Sequence, residues 1–241
     1  MFSTKTPHKN INMINRQTFI YIALAALSLL LMPTLQTYAA QPTRLKNDID
    51  KNFTQSAISD ATFKRIYGKS FKKGCTIQRS DLRYLRLLHY TIDGKIQHGE
   101  MICHKDIADD LIDIFRKLFE AHYPIERMQL IDDFGADDIV SMEHNNTTCF
   151  NFRVVAGSKK LSNHSQGKAV DLNPLYNPYV KRRANGTYKI SPETGRKYAD
   201  RSKTFTYKID HNDLAYRLFR QHGFRWGGDY RTLKDYQHFE K

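Results

Sequence analysis

The chain has 241 residues, of which 40% are hydrophobic and 26% charged, with a formal net charge of +13. That composition excludes a disordered chain and allows a real core, in one large domain or two small ones. The positive charge is scattered over short groups (Lys72-Lys73, Lys159-Lys160, Lys181-Arg182-Arg183) with no aromatic-basic motif, which argues against nucleic acid as a partner.

At the N-terminus Lys5, Lys9 and Arg16 precede an apolar run, Phe19 to Met32, followed by Thr37-Tyr38-Ala39. A charged region, a short apolar core and a small-x-small site together predict a secretory signal over residues 1–39. The run is short of the roughly 20 apolar residues of a membrane helix, although an uncleaved anchor is the alternative. Removal of the signal takes three from the net charge and leaves a basic, exported chain of the periplasm or cell envelope. For such a chain, anionic envelope material is a better match to the charge than DNA.

Residues 40–70 read as a polar lead-in with some helical character, and 71–241 as the functional domain. Ile107, Leu111, Ile114, Phe115, Leu118 and Phe119 recur at helical spacing, and Asp106, Asp109 and Asp110 favour the first half of that helix. Phe150 to Val155 alternates and is rich in aromatic and β-branched residues, predicting a strand. Ala169 to Leu172 and Gln237 to Glu240 are further short strand candidates. Asn177 to Thr206 is rich in turn-formers and reads as a long excursion that could contain a hairpin. A second helix runs from about Asn212 to His222, stopped by Gly223. The expected fold class is α+β, with helices packed on a small, mostly antiparallel sheet.

Cys75, Cys103 and Cys149 allow three single pairings, and the sequence does not choose among them. No C-x-x-C spacing supports a cysteine zinc site. Asp132-Asp133 and Asp137-Asp138 could pass for glycosidase carboxylates, but their polar setting fits solvated or site-rim groups better.

The stretch L-S-N-H-S-Q-G-K-A-V-D-L-N, Leu161 to Asn173, places His164 and Asp171 seven residues apart. A catalytic zinc site needs three His, Asp, Glu or Cys ligands, with a non-ligand acid close by to move a proton. His164 and Asp171 supply two ligands, with Gly167 allowing a tight turn between them. In the tail F-R-W-G-G-D-Y-R-T-L-K-D-Y-Q-H-F-E, Phe224 to Glu240, His238 offers the third and Asp235 the acid. By spacing alone this is modest, because an H-x6-D pair is common.

The motif S-N-H-S-Q-G-K-A-V-D resembles the S-x-H-x-x-G-x-A-x-D signature of VanY-type zinc peptidases. These are bacterial D-alanyl-D-alanine carboxypeptidases and the related L-alanyl-D-glutamate endopeptidases of peptidoglycan. The W-G-G-D-Y and K-D-Y-Q-H-F-E segments, Trp226 to Glu240, resemble the second half of that site. Ser141 to Arg153, S-M-E-H-N-N-T-T-C-F-N-F-R, resembles the strand before its ligand loop. The similarity spans about Gly74 to Lys241 in three ordered motifs.

The resemblance implies a hedgehog/D-Ala-D-Ala-peptidase-like zinc fold in which His164, Asp171 and His238 bind Zn2+. It implies that Asp235 is the general base and then the acid, and that Ser162 and Gly167 shape the ligand loop. It places Arg153 near the substrate, where a guanidinium could hold a carboxylate or a developing oxyanion; a structural ion pair is the alternative for that residue. The implied partners are peptidoglycan stem peptides. Carboxypeptidase-type members commonly carry glutamate where Asp235 stands, and many endopeptidase-type members carry aspartate, which tilts the expectation toward endopeptidases. Because a hedgehog signalling domain resembles the fold and keeps a similar zinc site, a non-catalytic zinc module binding cell-wall peptide or a protein is the alternative. Asp235 and Arg153 argue against it. A basic DNA- or lipid-binding protein rests on charge alone.

Overall fold

The computed structural model describes residues 1, 51–155 and 159–241. Asp50–Lys241 form one compact unit. The secretory segment read at residues 1–39 lies outside the described residues, Met1 excepted. Among the described residues no helix is long and apolar enough to cross a membrane.

Thr54–Ala57 (β1), Leu82–Tyr90 (β2) and Ile96–His104 (β3) form an antiparallel sheet in the order β1-β2-β3. Between β1 and β2 lies the short helix α1 (Asp60–Ile66), whose first turn is capped by Ser59 accepting from the Thr62 N–H at 3.1 Å. Thr54–Ile66 falls in the stretch read as a lead-in, yet Ile58 and Ile66 are buried with Leu82, Ile102, Leu130 and Phe150. The β2–β3 hairpin presents Leu85, Leu87, Met101 and Cys103 to the interior.

Against this sheet packs α2 (Lys105–Glu120), at the place its periodicity predicts, with Ile107, Leu111, Ile114, Phe115, Leu118 and Phe119 buried. Burying such a stripe is the main source of a helix's stability in a protein, since propensity alone is too weak. The short helix α3 (Asp138–Glu143) starts at Asp137, which accepts from the Ile139 and Val140 N–H groups.

Residues Phe150 to Val155 do not form the expected strand. Their backbone groups bond to different partners in turn, so no ladder develops: Phe150 N–H to Ile102 C=O, Asn151 N–H to His164 C=O, Phe152 N–H to Ser70 C=O, and Val155 N–H to Lys160 C=O. The alternating pattern reflects an extended segment threaded between β3 and the His164 loop rather than a sheet member.

After this segment come short strands: β4 (Ala169–Asp171), β5 (Tyr179–Arg182) and β6 (Tyr188–Ser191). The helix α4 (Leu214–Gln221) follows, capped by Asp213 and stopped where Gly223 takes a positive φ of 83°. The chain closes with β7 (Arg225–Trp226), β8 (Lys234–Asp235) and β9 (His238–Glu240). These make two antiparallel sheets, ordered β4-β9-β7 and β6-β5-β8. Phe219 of α4 stacks on Phe239 of β9 with ring centroids 4.3 Å apart and meets Phe115 of α2 edge-on. The excursion at 177–206 thus contains the hairpin β5–β6. The architecture is α+β with small antiparallel sheets, as the sequence predicts.

Candidate metal centre

The register of β4 on β9 pairs Asp171 directly with His238. His164 arrives from a short 3-10 turn, Asn163–Gln166, that runs into β4. Ser162 caps this turn, its hydroxyl accepting from the His164 N–H at 3.3 Å. Gly167 ends it with a φ of 64°, a conformation that favours glycine. A Cβ at that position would also lie 2.7 Å from the backbone nitrogen of His104, and that N–H donates to the Gly167 carbonyl at 2.8 Å. Gly167 therefore lets the ligand loop dock on the end of β3.

One ligand atom from each of His164, Asp171 and His238 falls within 4.8 Å of the others. All three residues are buried or nearly so. His164 Nε2 stands 3.2 Å from Asp171 Oδ2 and 3.2 Å from His238 Nδ1, and His238 Nδ1 stands 3.0 Å from Asp171 Oδ1.

The outer ring nitrogens fix the tautomers. His164 Nδ1 lies 2.6 Å from the Cys149 carbonyl, which can only accept, so Nδ1 carries the hydrogen. His238 Nε2 lies 3.3 Å from Glu240 Oε2. The His238 hydrogen bond holds Glu240 down to about 2, so this carboxylate also only accepts. In their neutral forms both imidazoles therefore turn a bare lone pair toward each other and toward the Asp171 carboxylate. Two lone pairs and an anion in van der Waals contact demand a cation. The donor set of two imidazoles and one carboxylate suits zinc, with room for a further ligand.

Without a metal, a proton meets that demand. Burial alone would push His238 down, but its hydrogen bonds and charge interactions with Asp171 and Glu240 win and raise it to about 10. Burial would likewise raise Asp171, yet the two histidines beside it hold it well below the usual carboxylate range.

Asp235 opens onto the same cavity, of about 420 Å³. Burial raises its pKa, aided by the negative charge of Asp171 and opposed by His238. Gln237 Nε2 donates to its Oδ1 at 3.2 Å. Gly227 of the W-G-G segment leaves space for it, because a Cβ there would come within 2.7 Å of Asp235 Cβ. Arg153 lines the cavity too, and its guanidinium forms an ion pair with Asp138. Its backbone is tied to the ligand loop through the Ser162 N–H and the Ser165 hydroxyl. The structure thus gathers every sequence-derived candidate (Arg153, Ser162, His164, Gly167, Asp171, Asp235 and His238) around one cavity or in the loop beside it.

Two groups escaped the sequence reading. Glu240 orients His238 and is itself held by Arg225 Nη2 at 2.8 Å and by the Tyr230 hydroxyl. Its signal was available, since it stands two residues after His238, on the same face of a strand. The Cys149 carbonyl, a backbone group, left no signal in residue identity. Elsewhere, Asp132 accepts from Ser70 and Asp133 pairs with Arg65, so neither belongs to a carboxylate pair. The three cysteines are free thiols.

No curated protein and no solved structure matches this chain. The resemblance read from the motifs is borne out by a family model: residues 156–241, which carry His164, Asp171, Asp235 and His238 and stop short of Arg153, match the peptidase family described as D-alanyl-D-alanine carboxypeptidase.

Proposed function

We propose that the chain is an exported zinc metallopeptidase that hydrolyses peptidoglycan stem peptides, as a D-alanyl-D-alanine carboxypeptidase or an L-alanyl-D-glutamate endopeptidase. The observation that carries this reading is the meeting of two fixed-tautomer histidines and Asp171 beside a half-buried acid, Asp235, in one cavity. His164, Asp171 and His238 hold the zinc. Bound there, zinc supplies Lewis acidity, which makes water a nucleophile near neutral pH and polarises a carbonyl.

The rest is the work of side chains. Asp235 takes the proton of the attacking water on its carboxylate and returns it to the leaving amine. Its raised pKa suits a group that must both accept and donate. Arg153, steadied by Asp138, offers N–H donors to a substrate carboxylate or to the charge developing on the carbonyl oxygen. Glu240 and the Cys149 carbonyl keep the two imidazoles in their ligating tautomers. In this reading residues 1–39 are a secretory signal, the peptidase domain lies within 71–241, and the protein works in the periplasm or cell envelope.

Incubation of the zinc-supplied protein with muropeptides, followed by mass spectrometry, tests the proposal. Release of terminal D-alanine identifies a carboxypeptidase, and a cut after L-alanine an endopeptidase. No product, while a matched control enzyme cuts the same material, defeats the proposal. The non-catalytic alternative predicts that Asp235→Ala leaves the biological effect intact.

A further inference from the structure

One wall of the cavity is the β5–β6 hairpin. Its register sets Tyr179 opposite Ser191, Val180 opposite Ile190 and Lys181 opposite Lys189. Side chains alternate along a strand, so Tyr179, Lys181, Lys189 and Ser191 share one face, and Val180 and Ile190 share the other. Tyr179, Lys189 and Ser191 line the cavity, while Ile190 is buried on the opposite side. The face that carries both lysines is therefore the one turned to the cavity.

Like charges directly opposite each other in a sheet are destabilising, and a nearby acid normally relieves them. Other lysines of this chain have such partners, among them Lys117 with Asp113 and Lys168 with Asp106. Neither Lys181 nor Lys189 has a side-chain hydrogen bond or ion pair among the described residues. The cavity is thus polarised. Asp171, Asp235 and Glu240 stand together, Arg153 is paired with Asp138, and on the hairpin Lys189 lines the cavity with no ion-pair partner among the described residues.

We infer that Lys189, reinforced by Lys181, is a specificity-determining residue of this cavity that binds a carboxylate of the substrate away from the metal ligands. The inference rests on the peptidase reading and adds a specificity-determining residue to it. An incoming carboxylate would relieve the lysine–lysine repulsion, which a neutral peptide cannot do. Lysine, a point charge on a flexible stem, suits a carboxylate whose position varies between substrates.

The test uses two synthetic stem peptides that differ only in one acidic residue, with its carboxylate free in one and converted to the carboxamide in the other. Binding is measured calorimetrically on the metal-free chain, and KM and kcat on the zinc-supplied chain. The wild type should favour the carboxylate peptide by about tenfold in affinity and in KM, the scale of one charge-assisted hydrogen bond. Lys189→Gln should erase most of that preference, Lys189→Arg should restore it, and kcat should move less than KM. The Lys189→Gln melting temperature should not fall, because the substitution removes a repulsion.

Equal binding of the two peptides by the wild type, or a preference that survives in Lys189→Gln, overturns the inference. A Lys189-dependent preference in binding without cleavage of either peptide defeats the proposed function and leaves only carboxylate binding by Lys189 standing. Cleavage of both peptides without preference does the reverse, and binding of neither defeats both.

Discussion

The two halves of the compact unit are built in opposite ways. From β1 to α2, two strands of nine residues, β2 and β3, pair along their length, and one amphipathic helix covers the sheet with buried leucine, isoleucine and phenylalanine. After His104 no described strand exceeds four residues, and much of the detail lies in polar contacts that aim single side chains. Glu240 and the Cys149 carbonyl set imidazole tautomers, and Ser162 and Gly167 set the turn that carries His164. The first half is held chiefly by area removed from water, which tolerates variation in detail. The second depends on register and hydrogen-bond direction, where a single group decides which way an imidazole lone pair points. Substitutions should therefore separate into those that move stability and those that move metal affinity or rate.

The largest separation is expected at Asp235. Asp235→Ala should lower kcat by about 10²–10⁴-fold, the usual contribution of general acid–base catalysis, while zinc stoichiometry stays the same. Loss of zinc in this variant would make Asp235 a ligand, and an unchanged kcat would remove it from the chemistry. In the other half, Leu85→Ala deletes a fully buried side chain of β2. It should cost about 2–5 kcal/mol in urea unfolding. The zinc affinity of the folded variant should match the wild type, and a parallel fall in affinity would show the halves to be coupled.

Glu240→Gln sharpens the comparison further. It removes the charge beside His238 Nε2 with little change in shape, and zinc affinity should fall by about 10–100-fold, as for other groups that orient a metal ligand. Competition with a chromophoric chelator measures it, and an unchanged affinity would deny Glu240 that role.

The smallest effect is in pH. In the metal-free chain His238 is raised to about 10, above an ordinary value of about 6.5. A folded-state pKa raised in this way contributes stability that is complete below pH about 6.5 and is lost as pH climbs toward 10. Zinc must displace the same proton, so its affinity should rise over the same window. The zinc-induced increase in melting temperature should be greater at pH 8.5 than at pH 6.5. A shift independent of pH would contradict the assignment of His238 as a ligand.

Legibility in the sequence followed the same division. The helix at Lys105–Glu120 was readable because each buried residue repeats the helical period, and α4 and Gly223 were readable for the same reason. The β2–β3 hairpin was not, since Leu85, Leu87 and Leu88 are all buried and no clean alternation survives. Phe150 to Val155 misled in the other direction: its alternation is genuine, but its hydrogen bonds scatter over the ligand loop, β3 and Ser70. The site residues were legible through their motifs, which record the chemistry and hide the arrangement. That Asp171 faces His238 is a fact of register between strands of three residues each. The same is true of Lys181 and Lys189, whose opposition no local pattern announces.

The central claim is that His164, Asp171 and His238 form a metal centre whose lone pairs are fixed from outside. Calorimetric titration of the metal-stripped chain with zinc at pH 7.5 tests it most directly. The account expects one zinc per chain with release of protons, binding retained in Asp235→Ala and abolished in His238→Ala. Absence of binding, or binding that survives the joint replacement of His164 and His238, would contradict it.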